Sequence, residues 1–275
     1  MLPYFSVLIM IKFSLFLLAL VLSVSLSAAP SREAFALEER QVSGVPLDAF
    51  EWGDANLTIE LWARSPMIFS PVSMDFDAQG RLWLTEGIDY QRGLRTEGGR
   101  SIIVLEDKDW DGKADSSHVF VTDPDIRHAA LGIAVFDNQI VLSSTPSIIV
   151  YTDVNRNAVF DEGIDKREVF LTGFRDASHD HTLHAVVGAP SGQWHFSYGN
   201  RGADIKTKDG RHHISGCYYG YSDGIGKKSS DGEVYVGGMT MRVNPDGTGL
   251  TPTGENMRNS HDMFVSSYGD IYQSD

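Results

Sequence analysis

Three groups of residues in this sequence have the types and spacing to do chemistry. The first runs from Asp107 to Asp115. Asp107, Asp109, Asp111 and Asp115 stand at positions one, three, five and nine, with Gly112 at position six. Carboxylates alternating in this way converge on one hard cation. Glycine permits the tight bend, and the carbonyl of Lys113 would supply a further oxygen, so the stretch reads as a calcium loop. His118 stands where a helical calcium hand would have Glu, and no helical pattern flanks the loop. The plain alternative is a solvated acidic turn. A degraded copy keeps oxygen-bearing side chains at Asp153, Asn155, Asn157 and Asp161, with Ala158 in place of the glycine and Arg156 adding charge. Glu162 or Asp165 would complete its shell.

The second group is His179-Asp180-His181-Thr182-Leu183-His184. Imidazoles near neutral pH suit a general base or a metal ligand. On a strand His179 and His181 point one way and His184 the other; on a loop all three converge. Surface histidines are the alternative. The third group is Asn256-Met257-Arg258-Asn259-Ser260-His261-Asp262. A guanidinium beside a carboxamide can grip a planar anion bearing several carbonyls. The alternative is an ordinary polar turn.

The elements that must position these groups read as β-strands. From Leu57 onward, apolar residues come in short runs broken by Gly, Asn and Asp. That is an all-β pattern. A turn-plus-strand unit recurs at Asp77–Thr85, Phe136–Ser143, Ser191–Ser197 and Tyr268–Ser274, with turn residues Gly80, Asn138, Gly192 and Gly269 spaced 58, 54 and 77 residues apart. Ser101–Asp107 pairs with Ser147–Asp153, 46 residues later, and Met239–Gly247 reads as a third copy. Repeats of several short strands suggest a β-propeller of the six-bladed type over residues 57–275, incomplete in this chain and continuing past Asp275; a β-sandwich is the alternative.

Residues 1–29 contain one charge, Lys12, and end in small residues, which is the form of a secretory signal; an uncleaved membrane anchor is the alternative. Either reading puts the body outside the cytoplasm, in the periplasm or secreted. Residues 30–56 read as a linker or arm. A formal net charge of −14 argues against a nucleic-acid partner, and the single cysteine, Cys217, excludes an internal disulfide.

The ordered set Gly80–Glu86, the Asp107–Asp115 loop, Gly173-Phe174 before the histidines and Asn244–Thr248 resembles a bacterial "membrane-bound dehydrogenase" propeller family, also described as PVC-type haem-binding domain proteins. That family is similar to the quinoprotein glucose/sorbosone dehydrogenases. The resemblance implies an oxidoreductase acting on a sugar or alcohol hydroxyl with pyrroloquinoline quinone (PQQ) and passing electrons to a cytochrome-type acceptor. It implies that Arg258 and Asn259 hold the quinone, with Glu86 counted among the cofactor-binding residues. It makes His184 or His181 the catalytic base. The family turn has Asp where this chain has Ser191, its Arg-Asn pair is followed by Pro where this chain has Ser260, and no Cys-x-x-Cys-His haem motif occurs here. Two rival functions remain. One is a non-catalytic, calcium-stabilised propeller that binds a glycan or protein. The other is a lactonase whose channel metal is held by Glu86 and neighbouring amides or carboxylates.

Overall fold

The computed structural model describes residues 47–51, 53–54, 56–87, 100–126, 130–175 and 180–275. The signal or anchor expected over 1–29, most of the arm and His179 lie outside them. The described residues form strands and two short 3-10 turns, Leu47–Ala49 and Ser222–Gly224. The all-β expectation therefore holds.

The strands make successive four-stranded antiparallel sheets. The first is β1 (Pro71–Phe76), β2 (Leu82–Glu86), β3 (Arg100–Glu106) and β4 (Ser116–Asp123), paired in that order. The second repeats it with β5 (Gly132–Phe136), β6 (Gln139–Ser144), β7 (Ser147–Thr152) and β8 (Lys166–Thr172). The third starts with β9 (Leu183–Gly188) and β10 (Trp194–Tyr198). A small sheet of β11 (Ala203–Lys206), β12 (His212–Gly216) and β13 (Tyr235–Val236) then intervenes. The third sheet is completed by β14 (Gly238–Val243) and β15 (Thr251–Met257), in the order β15-β14-β10-β9. A hairpin of β16 (Met263–Val265) and β17 (Ile271–Gln273) forms a two-stranded sheet after it.

These sheets stack as propeller blades, with their first strands side by side and parallel. The amides of Ile133 and Val135 donate to Ser73 Oγ (3.2 Å) and Asp75 Oδ2 (2.8 Å), a constant offset between β5 and β1. At Gly132 a Cβ would come within 2.5 Å of the His184 carbonyl, and at Gly188 within 2.9 Å of the Phe136 ring, so β5 and β9 run together start to start and end to end. Only glycine permits that approach.

Burial follows the pleat. In β3, Ile102 and Val104 join Trp83, Phe120, Leu142 and Tyr151 between the first two blades. On the other face Ile103 and Leu105 pack with Leu82, Leu84 and Trp62. Strands covered on both faces read as unbroken apolar runs, and β3 does. Between blades two and three lie Val141, Val150, Phe170, Phe196, Met239 and Met241.

The first hairpin turn is built on Asp77, whose carboxylate accepts hydrogen bonds from the Arg81 guanidinium (2.6 Å) and the Trp83 indole (2.8 Å). Burial pulls this carboxyl upward, but those bonds outweigh it and hold its pKa below the usual range. Gly80, Gly192 and Gly269 have positive φ as their turn positions require, but in the second blade the positive φ of +57° falls on Asp137, not Asn138. The reason is a tighter loop: Phe136 pairs directly with Gln139.

Candidate functional site

Strand register sorts the loops into two ends. Pro71 pairs with Glu86, Leu183 with Tyr198, Gly238 with Met257 and Met263 with Gln273, so the starts of the first strands share one end with residues 199–202 and 258–262. That end is the mouth. Glu106 pairs with Ser116, and Thr152 with Lys166, at the opposite end, where both acidic loops lie.

At the mouth the structure brings His184 and Asn259 together. His184 Nε2 lies 2.7 Å from Asn259 Oδ1, across 75 residues of sequence. A carbonyl oxygen accepts, so Nε2 carries the proton and the lone pair sits on Nδ1, which is buried without a hydrogen-bond partner. The ring is fully buried and lies 4.9 Å, centroid to centroid, from that of His261. Burial above all, with His261 and His181 adding to it, pushes the His184 pKa down to about 4, against the pull of Asn259. The ring is therefore neutral at pH 7.

His181 is held by a different amide, with Nδ1 2.8 Å from Asn200 Oδ1. The same rule places the proton on Nδ1 and the lone pair on Nε2. Two backbone bonds and one from a serine hydroxyl tie the three mouth segments together. Arg201 N–H donates to the His181 carbonyl (3.2 Å), Asn200 N–H to the Arg258 carbonyl (2.9 Å), and Ser197 Oγ to the Ser260 carbonyl (3.0 Å). A Cβ at Gly199 would lie 2.5 Å from Asn259 Oδ1, so the loop closes on the amide only because that residue is glycine.

Arg258 is exposed. Its amide and that of Asn259 donate to the Asp275 carboxylate, each at 2.8 Å. Its guanidinium has no hydrogen bond or ion pair among the described residues. Glu86 is buried at the mouth end of β2, where its Oε1 accepts the Phe69 amide at 2.8 Å. The contribution of Asn200 was not readable from sequence, although it stands in Tyr198–Gly202, directly after a repeat strand. His261 was in view only as part of a polar stretch.

At the opposite end, Asp107, Asp109 and Asp115 each bring a ligand oxygen to within 4.8 Å of the others. Asp111 stands outside this triad; its Oδ1 accepts the Lys113 amide at 2.9 Å. Gly112 has φ +87°, and its amide donates to Asp107 Oδ2 (3.0 Å). The copy is built on the same backbone plan: the Ala158 amide donates to Asp153 Oδ2 (2.8 Å). Its interior is closed by amides, however. Asn155 and Asn157 both donate to Asp161 Oδ2 (2.7 and 2.8 Å), and Arg156 turns outward to a bidentate pair with Asp137 (2.6 Å). In the first loop Asp115 accepts the Lys108 amide (2.7 Å); in the copy Asp165, not Asp161, accepts the corresponding Val154 amide (2.7 Å). Among the described residues, the one group of three potential metal-ligating side chains is the Asp107 triad, away from the mouth.

No curated protein matches the sequence. Among solved structures, a carbohydrate-active enzyme of family AA12 from Trichoderma reesei superposes with a TM-score of 0.37 at 17% identity, over 51% of this chain and 32% of that one. This chain thus spans about a third of that enzyme's length. Virginiamycin B lyase from Staphylococcus aureus superposes with a TM-score of 0.35 at 12% identity, over 74% of this chain and 62% of that one. Neither likeness assigns a role to any residue here. A family model covers residues 53–275, the whole run of blades, and the chain belongs to the family described as a domain of unknown function, DUF7133.

Proposed function

We propose that the mouth is the site of a quinone-dependent dehydrogenase acting on a sugar or alcohol hydroxyl, in an exported protein. The observation that carries this reading is the convergence at one mouth of the His184–Asn259 pair, the His181–Asn200 pair and the exposed Arg258 guanidinium. The donor set suits PQQ. The guanidinium of Arg258, without a hydrogen bond or ion pair among the described residues, and the amide N–H groups of Asn259, whose oxygen is already taken by His184, belong to adjacent residues at the mouth end, and both are donors to carbonyl oxygen. PQQ, when bound, supplies a two-electron acceptor. Arg258 and Asn259 would hold it and stabilise negative charge on its oxygens.

The two histidines then have separate tasks. His181 carries its lone pair on Nε2 and takes the substrate O–H proton there, with Asn200 fixing the tautomer. His184 donates to Asn259 and so turns the amide N–H groups away from itself; its own lone pair is buried. Export rests on residues 1–29, and the final electron acceptor would be a haem of the cytochrome type or another acceptor.

The test is reconstitution with PQQ and calcium, followed by dye reduction with a panel of sugars and alcohols. Arg258→Ala should weaken quinone binding by roughly a hundredfold, the scale of a charge-assisted, bidentate contact. Full activity and unchanged quinone binding in that variant would remove Arg258 from the site.

Calcium at the Asp107 loop has a structural part in this reading, since it would brace the connection between β3 and β4 at the end away from the mouth. Adding calcium to the chelated protein should raise the melting temperature by several degrees, as binding to the folded state alone requires. Asp109→Ala should abolish the rise, and a rise that survives the substitution would place the ion elsewhere.

A further inference from the structure

The mouth carries a second feature that the proposed dehydrogenase chemistry does not use. Tyr218 and Tyr219 are adjacent and 84% and 77% exposed. They sit on the turn after β12, which runs antiparallel to β11 and so returns to the mouth end, beside residues 199–202. The turn is pinned. Cys217 N–H donates to the Tyr221 carbonyl (3.1 Å), and Gly220 N–H to the Cys217 carbonyl (3.2 Å). The Arg201 guanidinium donates to the Tyr219 carbonyl. A Cβ at Gly220 would lie 2.5 Å from the Arg201 carbonyl, so the turn lies flat on the loop whose next bond, from Arg201 N–H, reaches His181. Beneath it the Tyr221 ring receives the Arg175 guanidinium at 4.2 Å, and its hydroxyl donates to Asp204 (3.1 Å).

We infer that Tyr218 and Tyr219 form a stacking platform for the pyranose ring of a carbohydrate at the rim of the mouth. A tyrosine offers a flat apolar face at the cost of only two side-chain torsions, and it keeps a hydroxyl for the polar edge of its partner. A pyranose has the complementary form, with an apolar C–H face and a rim of hydroxyls. Two such rings, open to water on a turn whose backbone is pinned, are a binding surface in waiting rather than a packing element. Nucleobases also stack on tyrosine, but they come with phosphates that need a basic groove, and this chain has a formal net charge of −14. The platform deepens the proposed reading of the mouth by naming a cyclic sugar, rather than a simple alcohol, as what approaches His181; it rests on that reading for its purpose but not for its test.

The test measures binding alone, without quinone or dye. Saturation-transfer difference spectra and calorimetry on the full chain would use cellotriose, maltotriose and mannotriose as probes. At least one should bind, with saturation reaching its ring C–H protons. Tyr218→Ala and Tyr219→Ala should each weaken that binding by roughly tenfold, the loss of one aromatic contact. Phenylalanine at either position should preserve most of it, because the ring face does the stacking. Both side chains are exposed, so the variants should keep the wild-type melting temperature. Absence of binding by all three sugars, or binding unchanged in the double alanine variant, would overturn the platform. A chain that binds sugar through these rings yet reduces no dye with PQQ would leave the platform standing and remove the dehydrogenase.

Discussion

Substituting His181 with glutamine should lower turnover of the reconstituted protein by about a thousandfold while leaving sugar binding within reach of the wild type, since a positioned general base contributes roughly 10²–10⁴-fold. The expectation follows from where the protons sit. Asn200 Oδ1, 2.8 Å from His181 Nδ1, puts the proton on that nitrogen and the lone pair on Nε2. Glutamine keeps the polarity and much of the volume but has no basic nitrogen. His184→Gln should act differently: it loosens Asn259 and should weaken quinone binding more than it slows the bound complex. Turnover that persists undiminished in His181→Gln would rule out this base.

A second large effect concerns acid. Two buried histidines, His184 and His213, are 0% and 4% exposed, and burial pushes each pKa down to about 4 from the ordinary 6.5. His213 lies 2.7 Å from the buried Tyr198 hydroxyl. In the unfolded chain both rings take up protons near pH 6.5, whereas the fold holds them neutral until about pH 4. The unfolded state therefore binds more protons across that interval, and stability falls as pH falls. The contribution of each ring is complete above pH 6.5 and is lost progressively toward pH 4, by about 3 kcal/mol per ring at the acid limit. The aspartates at positions 77 and 123 act in a lower window. Hydrogen bonds hold their pKa values below 3.8 against the upward pull of burial, so their contribution is lost only under more acidic conditions. Urea unfolding at pH 7, 5.5 and 4.5 would measure the slope. His213→Gln should flatten it by about half, and a slope unchanged in both histidine variants would show that other groups carry the acid response.

The elements were largely legible in the sequence because what specifies them is local. Alternating apolar residues and Gly or Asp turns set the strands at Leu82–Glu86, Gln139–Ser144 and Trp194–Tyr198, and the repeat at Met239 proved to be the third strand of its blade, counted from β9. The insertion of β11–β13 before that strand was not legible. It adds a sheet without disturbing the pattern on either side. In the acidic loops the spacing singled out both stretches, but the exchange of Asp161 for Asp165 depends on how far the loop travels before it returns, which side-chain types do not encode.

The mouth belongs to the same division. The residue types alone put His181, His184, Arg258 and Asn259 forward as candidates, since imidazole, guanidinium and carboxamide advertise their chemistry in one dimension. Which amide faces which imidazole, and therefore which ring nitrogen keeps its lone pair, was decided only when the parallel packing of the first strands carried residues 75 positions apart to within 2.7 Å. A proton's place on an imidazole is set by its neighbour across space, and that neighbour is fixed by the stacking of whole blades.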